Sequence, residues 1–410
     1  MSWLRFYPDV ILKKGYVRST IYFLGESKTI QLSKQDSDIL NYLLNNSVED
    51  CCEIYGGEDT QAVISRILKD GMGNLYKGKV VSEKYKPHID FLPEQFFEPD
   101  FFIYQFYIQL PQDDIYDSYG EKDLLIHEGC NSCLIPKVKG MDTESYQKKI
   151  LDNLDEMKLV RIKQFTLSGG NPMDCWEFVL KLLKKIKENY NCLTEIVFPV
   201  VNIPNYVLED LKEYNILLKL SVMAQSMLEE DSSVLNQIKR IIAYDLEVKL
   251  NLIYDTNINI DMNYISKIVE ECEIVGMDCT HLIHDCNNKL IALSTLPERV
   301  ENINMDLYYT KRSCMNGKIA VTIDGNVRPC AFSSHVLGNL EKGVYSIFRK
   351  NLHSKYWNHS KENVSRCKGC ENKFACIDCA SIEEAIELNP DYLSVLCDYQ
   401  PEQGIWTEPF

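Results

Sequence analysis

The sequence predicts an α/β protein in which a partial parallel barrel lies between a small N-terminal α+β module and a cysteine-rich C-terminal segment. Three observations predict this organisation. Apolar strand patterns alternate with helical patterns from residue 124 to about residue 300, which is typical of a parallel sheet with right-handed crossovers. Before residue 90, short strands precede three helical patterns. Seven of the sixteen cysteines lie between Cys314 and Cys397.

Residues 1–90 are predicted to form a winged helix-turn-helix. The segments STIYFL and KTIQL have the composition of short strands, and Ser33 has the position of a helix N-cap before an apolar stripe. Two further helical patterns run near Val48–Ile54 and from Asp59 to Gly71. The segment NLYKGKVVSEKY then has the form of a hairpin wing, with Gly78 at its turn.

Residues 91–120 are rich in Phe, Tyr, Pro and Asp, and they are predicted to be an aromatic connection with one strand, FIYQFYIQL, packed on the next domain. A (β/α)6 barrel is predicted over residues 121–302, with strands LLIHEG, RIKQFTLSG, TEIVFPV, ILLKLSVM, EVKLNLIY and HLIHDC. Its clearest helices are predicted at Thr143–Lys158 and Cys175–Tyr190, the second with Asp174 as its N-cap. Such a sheet places sites at the C-terminal ends of its strands.

The C-terminal cysteines have the spacing of an iron–sulfur protein. Cys314 comes first, and Gly325 precedes Cys330 in a Gly-x4-Cys step. Thiolates are the soft ligands that iron–sulfur clusters require. Zinc sites also use Cys-x2-Cys pairs, but one tetrahedral ion binds four ligands and leaves three of the seven cysteines unexplained. The segment CKGCENKFACIDC and the last cysteine complete the set: Cys367, Cys370, Cys376, Cys379 and Cys397.

This arrangement resembles the SPASM extension of radical S-adenosylmethionine enzymes that mature peptides. The family pattern is a Cys, a Gly-x4-Cys, then Cys-x2-Cys-x5-Cys-x3-Cys and a final Cys. This chain departs from it by one residue, because the interval before Cys379 is x2. The resemblance implies a SPASM domain over residues 303–410 with two auxiliary [4Fe–4S] clusters. One cluster would be bound by Cys367, Cys370, Cys376 and Cys397, and the other by Cys314, Cys330 and Cys379.

Residues 121–302 resemble the radical S-adenosylmethionine barrel. The segment FTLSGGNP follows the second predicted strand and is similar to the family's Gly-Gly-Glu-Pro segment, whose glycines let the backbone approach the methionyl end of the cofactor. The resemblance assigns Gly169, Gly170, Asn171 and Pro172 to a vestigial cofactor-binding segment. Asn171 replaces a carboxylate that could pair with an ammonium group.

The loop that would bind the radical-generating cluster is incomplete. The family pattern is Cys-x3-Cys-x2-Cys, and LLIHEGCNSCLIPK contains only Cys130 and Cys133. If Cys130 and Cys133 are the second and third ligands of this pattern, Ile126 occupies the first ligand position. If they are the first and second ligands, with one residue deleted between them, Pro136 occupies the third ligand position. The missing thiolate argues against S-adenosylmethionine as a cofactor. His127 offers an alternative three-ligand set with both cysteines, because imidazole ligates some iron–sulfur clusters.

Composition argues against several classes of partner. The chain has 44 Lys and Arg against 60 Asp and Glu, and this net charge of −16 disfavours nucleic acid and anionic membrane surfaces as partners. There is no signal-peptide pattern and no run of about 20 apolar residues, which predicts a cytoplasmic protein. Cysteines that stand singly in the barrel are predicted to be small buried apolar side chains: Cys175, Cys192, Cys272, Cys279 and Cys286.

The N-terminal module resembles the precursor-recognition domain of enzymes that modify ribosomally made peptides. In that family a leader peptide adds as a strand to the edge of the module's sheet and lies against its third helix. The corresponding helix here, DTQAVISRILKD, carries two basic and two acidic residues, which is a poor electrostatic footprint for DNA. The resemblance therefore implies a peptide as partner.

Over nearly its whole length the chain resembles the pseudo-radical S-adenosylmethionine proteins that accompany a true maturase in GG-Bacteroidales-type peptide systems. The resemblance implies a non-catalytic partner that binds a precursor peptide and assists an active radical S-adenosylmethionine maturase. One alternative is an active maturase that uses His127, Cys130 and Cys133. Another is a structural or iron-sensing protein without any peptide.

Overall fold

A computed structural model describes most of the chain as an α/β fold around one large sheet. The described residues are 1–26, 28–80, 102–111, 140–199, 203–227, 233–255, 262–284, 290–293, 298–299, 315–331, 333–358, 361, 367–377 and 399–406.

The N-terminal module begins with four strands and three helices, and a fifth strand closes it. Strands β2, β3 and β4 form an antiparallel sheet in that order, and β5 pairs with β1. The strands are β1 (Trp3–Phe6), β2 (Val10–Lys14), β3 (Ser19–Phe23), β4 (Lys28–Leu32) and β5 (Gly73–Tyr76). The helices are α1 (Lys34–Leu43), α2 (Val48–Tyr55) and α3 (Gly57–Lys69).

The three predicted helices and the two predicted strands of this module are confirmed. Strands β1 and β2 were not predicted from the sequence. The first half of the predicted wing is β5, which pairs with β1, and the residues after Val80 lie outside the described part. Serine caps explain where the helices begin: Ser33 Oγ accepts the Asp36 N–H at 3.1 Å, and Ser47 forms a capping box at α2.

One face of the β2–β3–β4 sheet packs against the helices, where apolar side chains repeat along α1 and α3 at helical spacing. This packing buries one compact core. Its fully buried members include Ile21, Leu32, Ile39, Leu40, Val63, Ile64 and Ile67.

The large sheet contains six neighbouring parallel strands, in chain order. These are β6 (Phe102–Gln109), β7 (Arg161–Ser168), β8 (Leu193–Pro199), β9 (Ile216–Met223), β10 (Glu247–Asp255) and β11 (Gly276–His284). The helices between them are α4 (Thr143–Glu156), α5 (Trp176–Asn189), α6 (Asn205–Leu211), α7 (Ser233–Ile242) and α8 (Met262–Glu271).

Five of the six predicted barrel strands are confirmed, and the remaining one, LLIHEG, lies outside the described residues. The strand predicted inside the aromatic connection is β6, and it lies within the sheet. It pairs in parallel with β7 on one side and with β14 (Lys318–Val321) on the other. The C-terminal segment therefore extends the barrel sheet directly.

The remaining strands flank the large sheet or form small pairs. At its two edges lie β12 (Leu290–Leu293), and β15 (Asn326–Arg328) with β16 (Gly338–Asn339). The pairs are β13 (Glu298–Arg299) with β17 (Cys376–Ile377), and β18 (Tyr399–Gln400) with β19 (Ile405–Trp406). Two short helices, α9 (Tyr345–Arg349) and α10 (Ser354–Trp357), follow β16. None of the helices described here combines the length and apolar character needed to cross a bilayer.

The two faces of the parallel strands differ in polarity, because side chains alternate along each strand. The apolar face packs against α4 to α8 and includes Phe165, Leu167, Leu218 and Leu250. The opposite face is buried but polar, with Gln109, Thr166, Glu195, Ser221 and Asn251. In a barrel-like α/β sheet, one face of each strand packs against the helices and the other faces the interior. The polar side chains on the interior face can therefore contact a bound ligand.

An ion-pair cluster on this polar face predicts a pH-dependent contribution to stability. Asp278 Oδ atoms lie 2.6 Å from Lys219 Nζ and 2.8 Å from Lys249 Nζ. Burial raises the pKa of Asp278, but the two lysines outweigh burial and the net pKa lies below its usual value. Because the carboxylate is 38% exposed, we expect Asp278→Asn to cost only about 0.5–1 kcal/mol at pH 7.

A lowered pKa means that this stabilisation is present above the ordinary pKa of an aspartate and is lost as pH falls through the lower folded value. Urea unfolding of Asp278→Asn and the parent chain at pH 7 and pH 3 checks the prediction. The difference between them must shrink at pH 3, and an equal difference at both pH values would contradict it.

Candidate metal centre

One candidate centre is the short segment that carries Cys367, Cys370 and Cys376. The Cys370 N–H donates to the Cys367 carbonyl at 3.0 Å, which closes the Cys-x2-Cys turn. The Asn372 N–H donates to Cys370 Sγ at 3.4 Å. Cys376 begins β17, whose backbone pairs with Arg299 at the far end of the barrel region. A turn and a strand thus hold three thiols within ten residues.

The electrostatics of this segment suit a thiolate centre that binds a cation. The pKa of Cys370 is raised to about 12, mainly by burial and also by Glu371, Cys376 and Cys367, while the Asn372 N–H opposes them. Only the thiolate ligates metals, so metal binding must release protons here. Soft sulfur donors with an N–H bond to one sulfur fit an iron–sulfur cluster, whose potential such bonds tune.

Ligands of a cluster and of a single ion are spaced differently. Within the ranges that the structure describes, no three His, Cys, Asp or Glu side chains converge as they would around one metal ion. Around a four-iron cluster each thiolate binds a different iron, so the sulfurs stand further apart than those around zinc. Of the other predicted ligands, Cys330 is described, whereas Cys314, Cys379 and Cys397 lie outside the described residues.

Cys330 follows β15 and is positioned by a buried arginine that the sequence analysis missed. Arg328 is 5% exposed, and it joins the turn before β15 to the loop after Cys330. Its guanidinium donates to Thr322 Oγ1 (3.1 Å), Asp324 Oδ2 (3.0 Å), and the carbonyl oxygens of Ser333 (3.2 Å) and Ser334 (2.9 Å). In the sequence, the one feature that could have indicated this role is the position of Arg328, two residues before the predicted ligand Cys330.

The Arg328 side chain, Thr322, Asp324 and the Ser333 and Ser334 carbonyls form the Arg328 clamp, in which Asp324 is a half-buried carboxylate. Burial raises its pKa, but hydrogen bonds from Thr322 and Asn326 and the charge of Arg328 outweigh burial and bring the pKa below its usual value. Gly325 follows with φ +75°, and a Cβ atom there would lie 2.9 Å from Met141 Sδ. The glycine of the Gly-x4-Cys step is therefore required by the backbone conformation of this turn.

The predicted cofactor segment begins at the C-terminal end of β7. Gly169 has φ +91°, and a Cβ atom there would lie 2.7 Å from Gln109 Cγ at the end of β6. Asn171 Oδ1 accepts the Met173 N–H at 3.2 Å and caps a 3-10 turn over Pro172–Cys175. The prediction of Asp174 as the N-cap of α5 is wrong, because this turn intervenes and α5 begins at Trp176.

Four residues of this segment were predicted to contact the cofactor. In the structure, three of them have a role in the local backbone conformation. Gly169 allows close approach of two strand ends, Asn171 caps the turn, and Pro172 occupies its first position, where its fixed φ is favourable. Gly170 lies between them at the same strand end. The predicted cluster residues His127, Cys130 and Cys133 lie outside the described residues.

The close approach at Gly169 predicts a large cost for any side chain. We expect Gly169→Ala to destabilise the chain by about 1–3 kcal/mol, because its φ is unfavourable for alanine and the Cβ overlaps Gln109. Urea unfolding measures the change. Gly57→Ala is the control, because a Cβ on Gly57 meets nothing within 4 Å. Equal stability of the two variants would contradict the prediction.

An open cavity of about 390 Å³ lies beside this segment, between the first turns of α4 and α5. Its lining includes Pro111 at the end of β6, Thr143 at the start of α4, and Met173 and Trp176 after β7. Ligands in α/β proteins bind at such carboxyl ends of strands. The cavity has the volume of a small-molecule site.

Comparison with protein families identifies the C-terminal part. Residues 313–371 match the SPASM family, described as an iron–sulfur cluster-binding domain. The matched region contains Cys314, Gly325, Cys330, Cys367 and Cys370, whereas the last three cysteines of the predicted set follow it. The C-terminal part of the chain therefore contains a SPASM domain, of a family that binds iron–sulfur clusters.

Comparison with solved structures identifies the fold. Streptococcus suis SuiB bound to S-adenosylmethionine has a TM-score of 0.51 at 13% identity, over 94% of this chain and 98% of SuiB. SuiB bound to precursor peptide SuiA gives 0.46 at 13% identity, over 92% and 94%. The anSMEcpe structure with bound AdoMet gives 0.46 at 14% identity, over 71% and 96%. No curated protein matches the sequence. The chain thus has an α/β fold like that of SuiB, with a SPASM iron–sulfur domain in its C-terminal part.

Proposed function

We propose that this chain is a non-catalytic, pseudo-radical S-adenosylmethionine protein. In this role it binds a ribosomally made precursor peptide and assists an active radical S-adenosylmethionine maturase, as in GG-Bacteroidales-type systems. The contrast between two cysteine sets carries the proposal. The C-terminal set has seven cysteines and includes a SPASM match, whereas the segment around Cys130 and Cys133 lacks its third thiolate. A cluster with one iron open to a cofactor needs three protein ligands.

The proposed cofactors are two auxiliary [4Fe–4S] clusters without S-adenosylmethionine. Cys367, Cys370, Cys376 and Cys397 are the proposed ligands of one cluster. Burial of Cys370, its N–H bond and the electrostatic influence of Cys367 and Cys376 on its pKa support this set. Cys314, Cys330 and Cys379 are the proposed ligands of the other. The Arg328 clamp beside Cys330 supports it, because a cluster needs rigid ligands.

The proposed peptide site is the outer edge of β4 in a winged-helix module. Among the described strands β4 pairs only with β3, and we propose that the peptide adds as a strand to the opposite edge of β4. Lys28 at the start of β4 lies 4.0 Å from Asp70 after α3, and Arg66 joins α3 to Asp36 of α1 at 3.0 Å. The C-terminal end of α3 therefore lies near the start of β4. SuiB, which has the similar fold, has been solved with precursor peptide SuiA.

Peptide binding is tested with peptides translated from short reading frames beside the gene. Successive backbone N–H groups of a strand point to opposite edges. Of the two variants Thr29→Pro and Ile30→Pro, one therefore removes an N–H group from the outer edge of β4 and the other removes one from the edge that pairs with β3. We expect the variant at the outer edge to weaken peptide binding at least about tenfold, equal to about 1.4 kcal/mol, while the full chain stays folded. Failure of every peptide to bind the unmodified chain would refute the proposed partner.

The second candidate is an active maturase whose cluster is bound by His127, Cys130 and Cys133. The His-x2-Cys-x2-Cys spacing favours it. Iron and sulfide counting after anaerobic reconstitution separates the candidates: two clusters give about eight irons per chain and three give about twelve. The double variant Cys130→Ala, Cys133→Ala leaves the count unchanged in the first case and lowers it by about four in the second.

A further inference from the structure

We propose that the N-terminal module forms one wall of the iron–sulfur centre at Cys367, Cys370 and Cys376, and that cluster loading is coupled to docking of this module. Tyr22 is the positioning residue that joins the two. The proposal rests on the ligand role proposed above for these cysteines, and it does not depend on whether the module binds a peptide.

The coupling begins at the second face of the β2–β3–β4 sheet. Tyr22, at the middle of this sheet, is fully buried although it points away from the helices. Its hydroxyl donates to the Glu371 carbonyl and accepts the Phe374 N–H at 3.4 Å. The Tyr22 and Phe374 rings meet edge to face, with centroids 5.4 Å apart. One tyrosine thus holds two backbone groups that lie between two proposed ligands.

The neighbouring strands add contacts to the same four residues, 371–374. Gln31 of β4 donates from Nε2 to Asn372 Oδ1 at 3.1 Å. Lys13 of β2 places its Nζ 5.1 Å from the centre of the Phe374 ring. All three strands of the sheet therefore contact the segment between Cys370 and Cys376. The sheet is covered by helices on one face and by the cysteine segment on the other.

The β2–β3 turn packs against the Cys-x2-Cys turn at contact distance. A Cβ atom on Gly369 would lie 2.4 Å from Cε2 of Tyr16. A Cβ atom on Gly15 would lie 2.2 Å from Oε2 of Glu371, which is itself fully buried and hydrogen-bonded to Tyr399 through Oε1. Two glycines, one on each side, allow the turns to meet. A Cβ atom at Gly15 would displace the buried Glu371 carboxylate, whereas one at Gly369 would displace only the exposed ring of Tyr16.

Cluster binding and docking of the N-terminal module each favour the other, because both restrain residues 371–374. The Glu371 carbonyl and the Phe374 N–H lie one and four residues after Cys370, so ligation of the flanking thiolates restrains the same backbone that Tyr22 holds. A cluster that orders residues 371–374 must favour the docked module. By linkage, a docked module must favour the geometry that binds the cluster. Opening of the module is then a local unfolding event whose free energy depends on iron loading.

Hydrogen exchange measured on the full chain tests this coupling, with iron- and sulfide-reconstituted protein compared with chelator-treated protein. We expect amides of residues 10–32 to exchange at least about tenfold more slowly in the loaded protein. Tyr22→Phe keeps the ring but removes the hydroxyl, so it should retain iron and sulfide while losing this difference. It should also change the electron paramagnetic resonance g values of the reduced cluster. Tyr42→Phe is the control, because Tyr42 packs on Tyr55 within the helices of the module.

The outcomes distinguish the coupling from the ligand role on which it rests. If Cys370→Ala retains all the iron, the proposed ligand role is refuted. If Cys370→Ala loses iron but residues 10–32 exchange equally in loaded and stripped protein, the coupling is refuted and the ligand role stands. Gly15→Ala gives a second route: it keeps every cysteine and should lose the protection, because its Cβ overlaps the buried Glu371, whereas Gly57→Ala should keep it. Full protection in Gly15→Ala would also overturn the coupling.

Discussion

Replacing Cys370 by alanine should remove about four of the eight irons that two auxiliary clusters supply. Among the described cysteines, the surroundings of Cys370 strongly disfavour a thiolate without a bound cation. Its pKa is raised to about 12, mainly by burial and also by Glu371, Cys376 and Cys367. A buried thiolate is costly without a cation, and three nearby thiolates are costlier still. Loss of one of them should therefore empty the site. Iron and acid-labile sulfide after anaerobic reconstitution measure the loss.

Cys192 provides a matched control for this substitution. Burial raises its pKa to about 11, so it is, like Cys370, a half-buried cysteine with a neutral thiol. It lies before β8, and no other cysteine is among the causes of its shift. We expect Cys192→Ala to keep all of the iron and to lower stability only by the loss of packing. Equal iron loss in the two variants would show that the effect follows from destabilisation rather than from ligation.

Replacing Arg328 by methionine should cost about 2–3 kcal/mol of unfolding free energy, because it removes the ion-pair partner of the half-buried Asp324 carboxylate, which keeps its hydrogen bonds from Thr322 and Asn326. It also frees the Ser333 and Ser334 carbonyls that Arg328 binds. The contacts of Arg328 hold the backbone on both sides of Cys330, so the variant should also lose the iron of the cluster proposed at Cys330. Urea unfolding of the chelator-treated chain isolates the first effect, and iron counting measures the second.

Arg349 provides the control for this prediction, because it is an exposed arginine at the end of α9. We expect Arg349→Met to change stability by less than about 0.5 kcal/mol and to leave the iron content unchanged. The clamp is refuted if Arg328→Met is as stable as Arg349→Met.

Local patterns were sufficient to predict most helices and strands of this fold. Apolar positions repeat at helical spacing in α1, α3 and α5, and the strand ILLKLSVM occupies Ile216–Met223 as predicted. Such repeats reflect which side chains face the core, and that information is present within each segment. The SPASM region was also predictable, because cluster ligation requires cysteines at characteristic intervals.

The elements that were missed depend on partners distant in the chain. The strand Phe102–Gln109 was predicted as part of a connection, because its aromatic composition shows a strand but not its neighbours. Those neighbours are β7 and, more than 200 residues away, β14. The same limit applies to Arg328, whose role depends on buried oxygens in two loops, and to Tyr22, whose partners are Glu371 and Phe374. A single residue without a periodic pattern does not reveal such contacts.

The central claim is that the radical-generating site of this chain is incomplete while its auxiliary set is retained. Chromatographic measurement of 5′-deoxyadenosine tests it most directly, with the isolated, anaerobically reconstituted full chain incubated with S-adenosylmethionine and a strong reductant. The account predicts no 5′-deoxyadenosine above the level of a protein-free control, from a preparation that holds about eight irons per chain. Repeated turnover of S-adenosylmethionine by the isolated chain, abolished by Cys130→Ala, would contradict it and would establish an active maturase.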